Sequence, residues 1–184
     1  MRATSSIPVS VNGFWASVGL SVAHTAYSSA KFAVKGFTEA LISDLRLNAP
    51  HIKCSVVMPG HIGTSIVSNS RKVQSGIDSD RLSENEIALT RVRLTAAGID
   101  ASKMSDEDVQ GLAAERARSF REDAPTTAAA AARIILDGVK AEHWRILVGD
   151  DAHRPDERMR QAPERAYEAE FYQSFAQEVG WRLG

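Results

Sequence analysis

Apolar residues recur at intervals of three and four between residues 26 and 47, at Phe32, Val34, Phe37, Leu41, Ile42 and Leu45. That period predicts one long amphipathic helix. Thr25 is the expected N-cap, and Asn48-Ala49-Pro50 the stop. Gly36 falls inside the helix, where glycine costs about 1 kcal/mol relative to alanine, so close backbone packing is the expected reason for it. The pattern then switches to a β-branched run, Ile52 to Met58, closed by Pro59-Gly60, which predicts a buried strand. An Ala-rich helix from Thr126 or Thr127 to about Lys140, with Ile134, Ile135 and Val139 inward, leads to a second buried-type strand at Trp144–Val148. Helices alternating with such strands predict an α/β fold with a parallel sheet.

Elsewhere the pattern is weaker. Ile7 to Val11 gives a poor strand, weakened further by Pro8. The stretch after residue 65 is polar and dotted with Ser and Gly, and Leu82 to Leu94 reads as helical. Ser105-Asp106-Glu107-Asp108 resembles a capping box opening a helix to about Arg121, with Val109, Leu112 and Phe120 inward. The tail from residue 151 is charged, with a helix expected from Pro163 to Glu178. Tyr167, Phe171 and Phe175 form a stripe on it, suited to core or subunit contact.

Composition narrows the function classes. A chain of 184 residues with 43% hydrophobic and 24% charged content suffices for one domain with a real core. A net charge of −1 gives no electrostatic case for nucleic acid or an anionic membrane surface. No run approaches the roughly 20 apolar residues that span a bilayer. The mildly apolar run from Phe14 to Ala23 is broken by Ser17, Gly19 and Ser21, which argues against a targeting segment. The single cysteine, Cys54, sits in the apolar strand and reads as a buried core residue in a reducing, cytoplasmic compartment. No histidine has Cys, Asp or Glu partners at ligand spacing, so no metal site is expected.

The chemistry-bearing pair is Tyr27 and Lys31, four residues apart on the opening turns of the predicted helix. That spacing puts both on one face, within reach of a common ligand. An ammonium beside a phenol favours the phenolate, which suits proton transfer to or from an oxygen. Tyr27-x-x-x-Lys31 continues into Phe32-Ala33-Val34-Lys35-Gly36-Phe37-Thr38, and a strand later comes Val57-Met58-Pro59-Gly60-His61-Ile62-Gly63-Thr64. Together these motifs resemble the active-site helix and the cofactor-flanking turn of the short-chain dehydrogenase/reductase family. The resemblance is close over about residues 19–65 and looser to about residue 155.

The resemblance implies an NAD(P)-dependent oxidoreductase acting on a small carbonyl or alcohol substrate. Tyr27 is then the acid/base, and Lys31 lowers its pKa and holds the nicotinamide ribose. Pro59, Gly60, Ile62 and Thr64 line the nicotinamide of NAD or NADP. The family's catalytic serine stands about 13 residues before the Tyr. Here that position is Phe14, which has no hydrogen bond to donate. Ser17, ten residues before Tyr27, is the nearest substitute and Ser10 a poorer one; the plain alternative for Ser17 is a loop hydroxyl.

The implied fold is the C-terminal part of a Rossmann-type doubly wound parallel sheet, N-terminally truncated. Neither a Thr-Gly-x-x-x-Gly-x-Gly pattern nor an Asn-Asn-Ala-Gly motif occurs in the sequence. The expected organisation is a partial Rossmann-like domain over 1–155, with 65–124 as a variable substrate lid, and a helical extension over 156–184. A homo-oligomer through helix 26–47 is implied. The alternative to an enzyme is a truncated, non-catalytic remnant or subunit-interaction module.

Overall fold

The computed structural model describes residues 3–16, 24–76, 81–96 and 98–179. Its strands are β1 (Ala3–Pro8), β2 (Ile52–Pro59), β3 (Ile62–Gly63), β4 (Thr126–Thr127) and β5 (Arg145–Val148). Its α-helices are α1 (Thr25–Asn48), α2 (Ile66–Ser75), α3 (Glu84–Ala96), α4 (Asp106–Glu122), α5 (Ala128–Lys140), α6 (Asp150–Gln161) and α7 (Ala169–Val179). The chain forms two compact units. One comprises Met1–Ile62 with Pro125–Gly184, and the other comprises Gly63–Ala124.

The first unit is built on a parallel sheet in the order β1-β2-β5. The fold is α/β, as the alternation of helix and strand predicts. Central β2 is buried on both faces, as a parallel strand between helical layers must be. Its alternating side chains separate two clusters. Val57 joins Ile146, Val148 and Ala131, with Ile62, Ile135 and Val139 packed on them. Val56 and Met58 join Val9 on the other side, with Phe14, Val34 and Leu147 against them. Gly138 lets α5 approach β5 closely, since a Cβ there would lie 2.7 Å from Ile146 Cδ1. A third cluster centres on Trp15, whose indole N–H donates to the Ala166 carbonyl at 3.0 Å. Its ring meets Phe171 and Phe175 edge-on at 5.7 and 5.4 Å.

Several expectations are corrected by this packing. The first strand lies earlier than its apolar pattern suggests, at Ala3–Pro8, because pairing with β2 selects it despite three small polar residues. Pro8 sits at its last position, where a missing N–H is tolerated on an edge. Thr25 is the first helical residue, and His24 occupies the cap position without a side-chain bond. Gly36 has no atom within 4 Å of a Cβ built on it, among the described residues, so close packing is not what keeps it there. Ile134 and Leu112 are exposed, and only neighbouring positions of their helices face inward. Residues 66–75, polar and dotted with Ser in the sequence, form a helix that ends on left-handed Gly76. An additional helix, α6, opens the charged tail; it is pinned by Arg145, whose guanidinium pairs with Asp156. The tail's aromatic stripe is split, with Phe171 and Phe175 buried and Tyr167 outside α7 and exposed.

The second unit carries α2, α3 and α4, with Leu94, Ala101 and Val109 buried in it and polar contacts around them. Arg71 of α2 binds Glu86 of α3 through two nitrogens, at 2.7 and 3.0 Å. Arg91 reaches the Ala101 carbonyl and the Asp106 carboxylate, both at 2.7 Å. The capping box at Ser105 and Asp108 forms as its spacing predicts.

Candidate active site

Strands β1 and β2 run parallel, and α1 returns between them, so its first turn lies at the same edge as their carboxyl ends. That edge is where open parallel sheets hold their ligands. Tyr27 stands on this turn and is 47% exposed. Lys31, one turn on, carries its ammonium 5.4 Å from the Tyr27 ring centroid, within the range of a cation–π contact. The structure therefore brings the two together on an open surface, as their spacing predicts.

The turn is held from beneath by the short 3-10 turn Val11–Gly13. Gly13 is buried, and a Cβ on it would lie 3.2 Å from the Lys31 carbonyl oxygen and overlap Val9 Cγ1. Only glycine lets the backbone lie this close to α1. Ser28, buried beside Tyr27, donates to Asn12 Oδ1 at 3.4 Å.

The remaining predicted residues divide. Ser17 lies outside the described residues. Ser10 accepts from the Asn12 N–H at 3.2 Å and so caps the 3-10 turn. Phe14 is packed among apolar side chains. Pro59 ends β2 and Gly60 donates its N–H to Val148 at 3.0 Å, which continues the ladder toward β5. Ile62 turns its side chain onto the Val57–Ile146–Val148 cluster, leaving its backbone as the part available to a ligand. Thr64 belongs to the second unit.

Two residues near these elements escape a reading of the sequence. His24 precedes Tyr27 by three residues and meets its ring edge-on, centroids 6.3 Å apart. Its Nδ1 is buried without a partner among the described residues. Asp151, 4% exposed, accepts the His61 backbone N–H and lies where a Gly60 Cβ would be. Burial pushes its carboxyl above the usual range, partly opposed by the His61 N–H. Its signal was present in Gly149-Asp150-Asp151, an acidic pair at the carboxyl end of a parallel strand.

Comparison with known proteins agrees with this arrangement. A family model described as short chain dehydrogenase matches residues 9–75, which include Tyr27, Lys31 and the Pro59-Gly60 turn. Two curated proteins of Mycobacterium tuberculosis, from strains CDC 1551 / Oshkosh and ATCC 25618 / H37Rv, are described as the oxidoreductase SadH. Each is 40% identical over 60 residues, which is 33% of this chain and 21% of the relative. A short chain dehydrogenase/reductase from Burkholderia phymatum, solved in complex with NAD, superposes with a TM-score of 0.51 at 18% identity. That alignment covers 89% of this chain and 49% of the solved one, and it shows a shared fold. The chain thus spans about half of that solved relative, and the match to the curated relatives about a fifth of their length.

Proposed function

We propose that this chain is a short-chain dehydrogenase/reductase, like the proteins it resembles over residues 9–75, and that it serves NAD(P)-dependent oxidation or reduction of a small carbonyl or alcohol substrate. The observation that carries this reading is the Lys31 ammonium held over the Tyr27 ring on the open first turn of α1. Tyr27 gives a proton to, or takes one from, the substrate oxygen, with the Lys31 ammonium beside its ring.

The residues present suit the nicotinamide end of the cofactor. Lys31 and Tyr27 offer donors for ribose hydroxyls from the open first turn of α1. Pro59, Gly60, the Ile62 backbone and Thr64 are assigned to that ring. When bound, the nicotinamide exchanges hydride with the substrate carbon. Ser17 is assigned to orienting the substrate oxygen.

Fluorescence titration of the whole chain with NADH and NADPH, with carbonyl reduction by the Tyr27→Phe variant, tests the reading. Saturable binding and a loss of about 100-fold or more in Tyr27→Phe turnover are expected. A chain that binds neither cofactor sinks it.

A second reading has its own support. Phe37 is 65% and Phe32 42% exposed on α1, an apolar face of the kind that marks an interface. On this reading the chain associates through helix 26–47 as a subunit-interaction module without turnover, and cofactor binding separates the two.

A further inference from the structure

We propose that Asp151 is a positioning residue whose carboxyl group latches the Pro59-Gly60-His61 turn to the amino end of α6 and fixes the backbone shape of that turn. Three independent contacts converge on it. Its Oδ2 accepts the His61 backbone N–H across ninety positions of sequence. Cβ atoms built at Gly60 and at Gly149 would both run into its carboxyl oxygens, so glycine on either side makes room for it. Gly149 holds a φ of +93°, a conformation that glycine adopts without strain and that turns the chain from β5 into α6 beneath the turn.

The chemistry is that of a local staple. A buried carboxylate is costly unless its oxygens are bonded, so the group persists where it is only with the turn folded onto it. Oδ2 is bonded in this way. Oδ1 is buried with no hydrogen-bond partner among the described residues, and Thr126 Oγ1 lies 2.8 Å from the same Gly149 Cβ position that Oδ1 crowds. The hold on the turn therefore rests on the bond from the His61 N–H and on shape. The titratable groups facing it are His61 on the turn and Asp150 on its own helix. Nothing in the proton exchange assigned to Tyr27 uses Asp151, whose role runs through the backbone it holds. The consequence for a bound nicotinamide rests on the function proposed above; the latch itself does not.

The test reads the latch without cofactor first. Hydrogen exchange at the His61 amide of the whole chain is expected to be protected, and Asp151→Ala is expected to lower that protection at least tenfold while the urea midpoint of β2 amides changes little. Asp151→Asn keeps an acceptor and is expected to restore protection. Unchanged His61 protection in Asp151→Ala overturns the proposal. If Asp151→Ala does not fold, Asp151→Asn decides: its His61 protection must lose the pH dependence that the parent shows across the carboxyl titration, and an identical dependence in both overturns the latch. NADH titration of the same proteins then separates the two readings. A parent that binds NADH and an Asp151→Ala variant weakened about tenfold support both. A parent that binds no NADH defeats the cofactor reading, while the amide data still decide the latch.

Discussion

Alanine at Gly13 and alanine at Gly36 are the same chemical change on the two sides of one helix, with opposite expected signs. At Gly36 the added methyl meets no atom within 4 Å among the described residues, and the position is interior to α1. The change then acts through backbone entropy and helix propensity, and it stabilises by about 0.5–1 kcal/mol. At Gly13 the methyl meets Val9 Cγ1, a stiff branched side chain, and stands 3.2 Å from the Lys31 carbonyl, which the helix holds in place. Overpacking of this kind costs about 1–3 kcal/mol, against which the entropy gain is small. The two variants are expected to differ by about 1.5–4 kcal/mol, or roughly 3–16 °C in Tm for a chain of this length. Thermal and urea unfolding followed by circular dichroism measure both. The reasoning is refuted if Gly36→Ala destabilises, which would mean that a partner surface covers α1 there, or if Gly13→Ala is neutral.

Other expectations follow from the charged contacts and the exposed face. Burial raises the Asp156 carboxyl, but Arg145 and Arg160 outweigh it and leave it below the usual range. Its contribution is thus full above the ordinary carboxylate pKa and lost as pH falls, and Asp156→Asn should cost about 2 kcal/mol at neutral pH by urea melts. Glu86 is held at about 2, first by its bonds to Arg71 and then by Ser83. Stability from this pair is present above the ordinary Glu value near 4.5 and fades toward pH 2; Glu86→Gln should remove that slope and cost about 1 kcal/mol at pH 7 after solvent screening. The shift of Asp151 has the opposite sign, so its ionisation weakens the fold as pH rises, and Asp151→Asn should flatten that part of the profile. Phe37→Glu on α1 should leave unfolding within about 0.5 kcal/mol of the parent. If subunits associate through α1, it should also lower the mass seen by light scattering.

Helix α1 and strand β2 were legible because each carries its own period, and a period is a local property. The pair Tyr27 and Lys31 was legible for the same reason: four residues in a helix fix a shared face whatever surrounds it. Where the neighbours of a residue come from far along the chain, the sequence was silent. Gly36 reads like a packing glycine, yet Gly13 is the one that presses on the helix. The aromatic stripe read as one helix surface, but Trp15 draws Phe171 and Phe175 inward from the other end of the chain and leaves Tyr167 behind. Asp151 read as the start of a charged tail, and the return of β5 beside β2 put it under Gly60 and His61. Local periodicity and contiguous motifs thus carried the family resemblance and placed Tyr27 and Lys31 on one face. Long-range pairing of strands, which no local interaction encodes, brought Asp151 to the Pro59-Gly60-His61 turn.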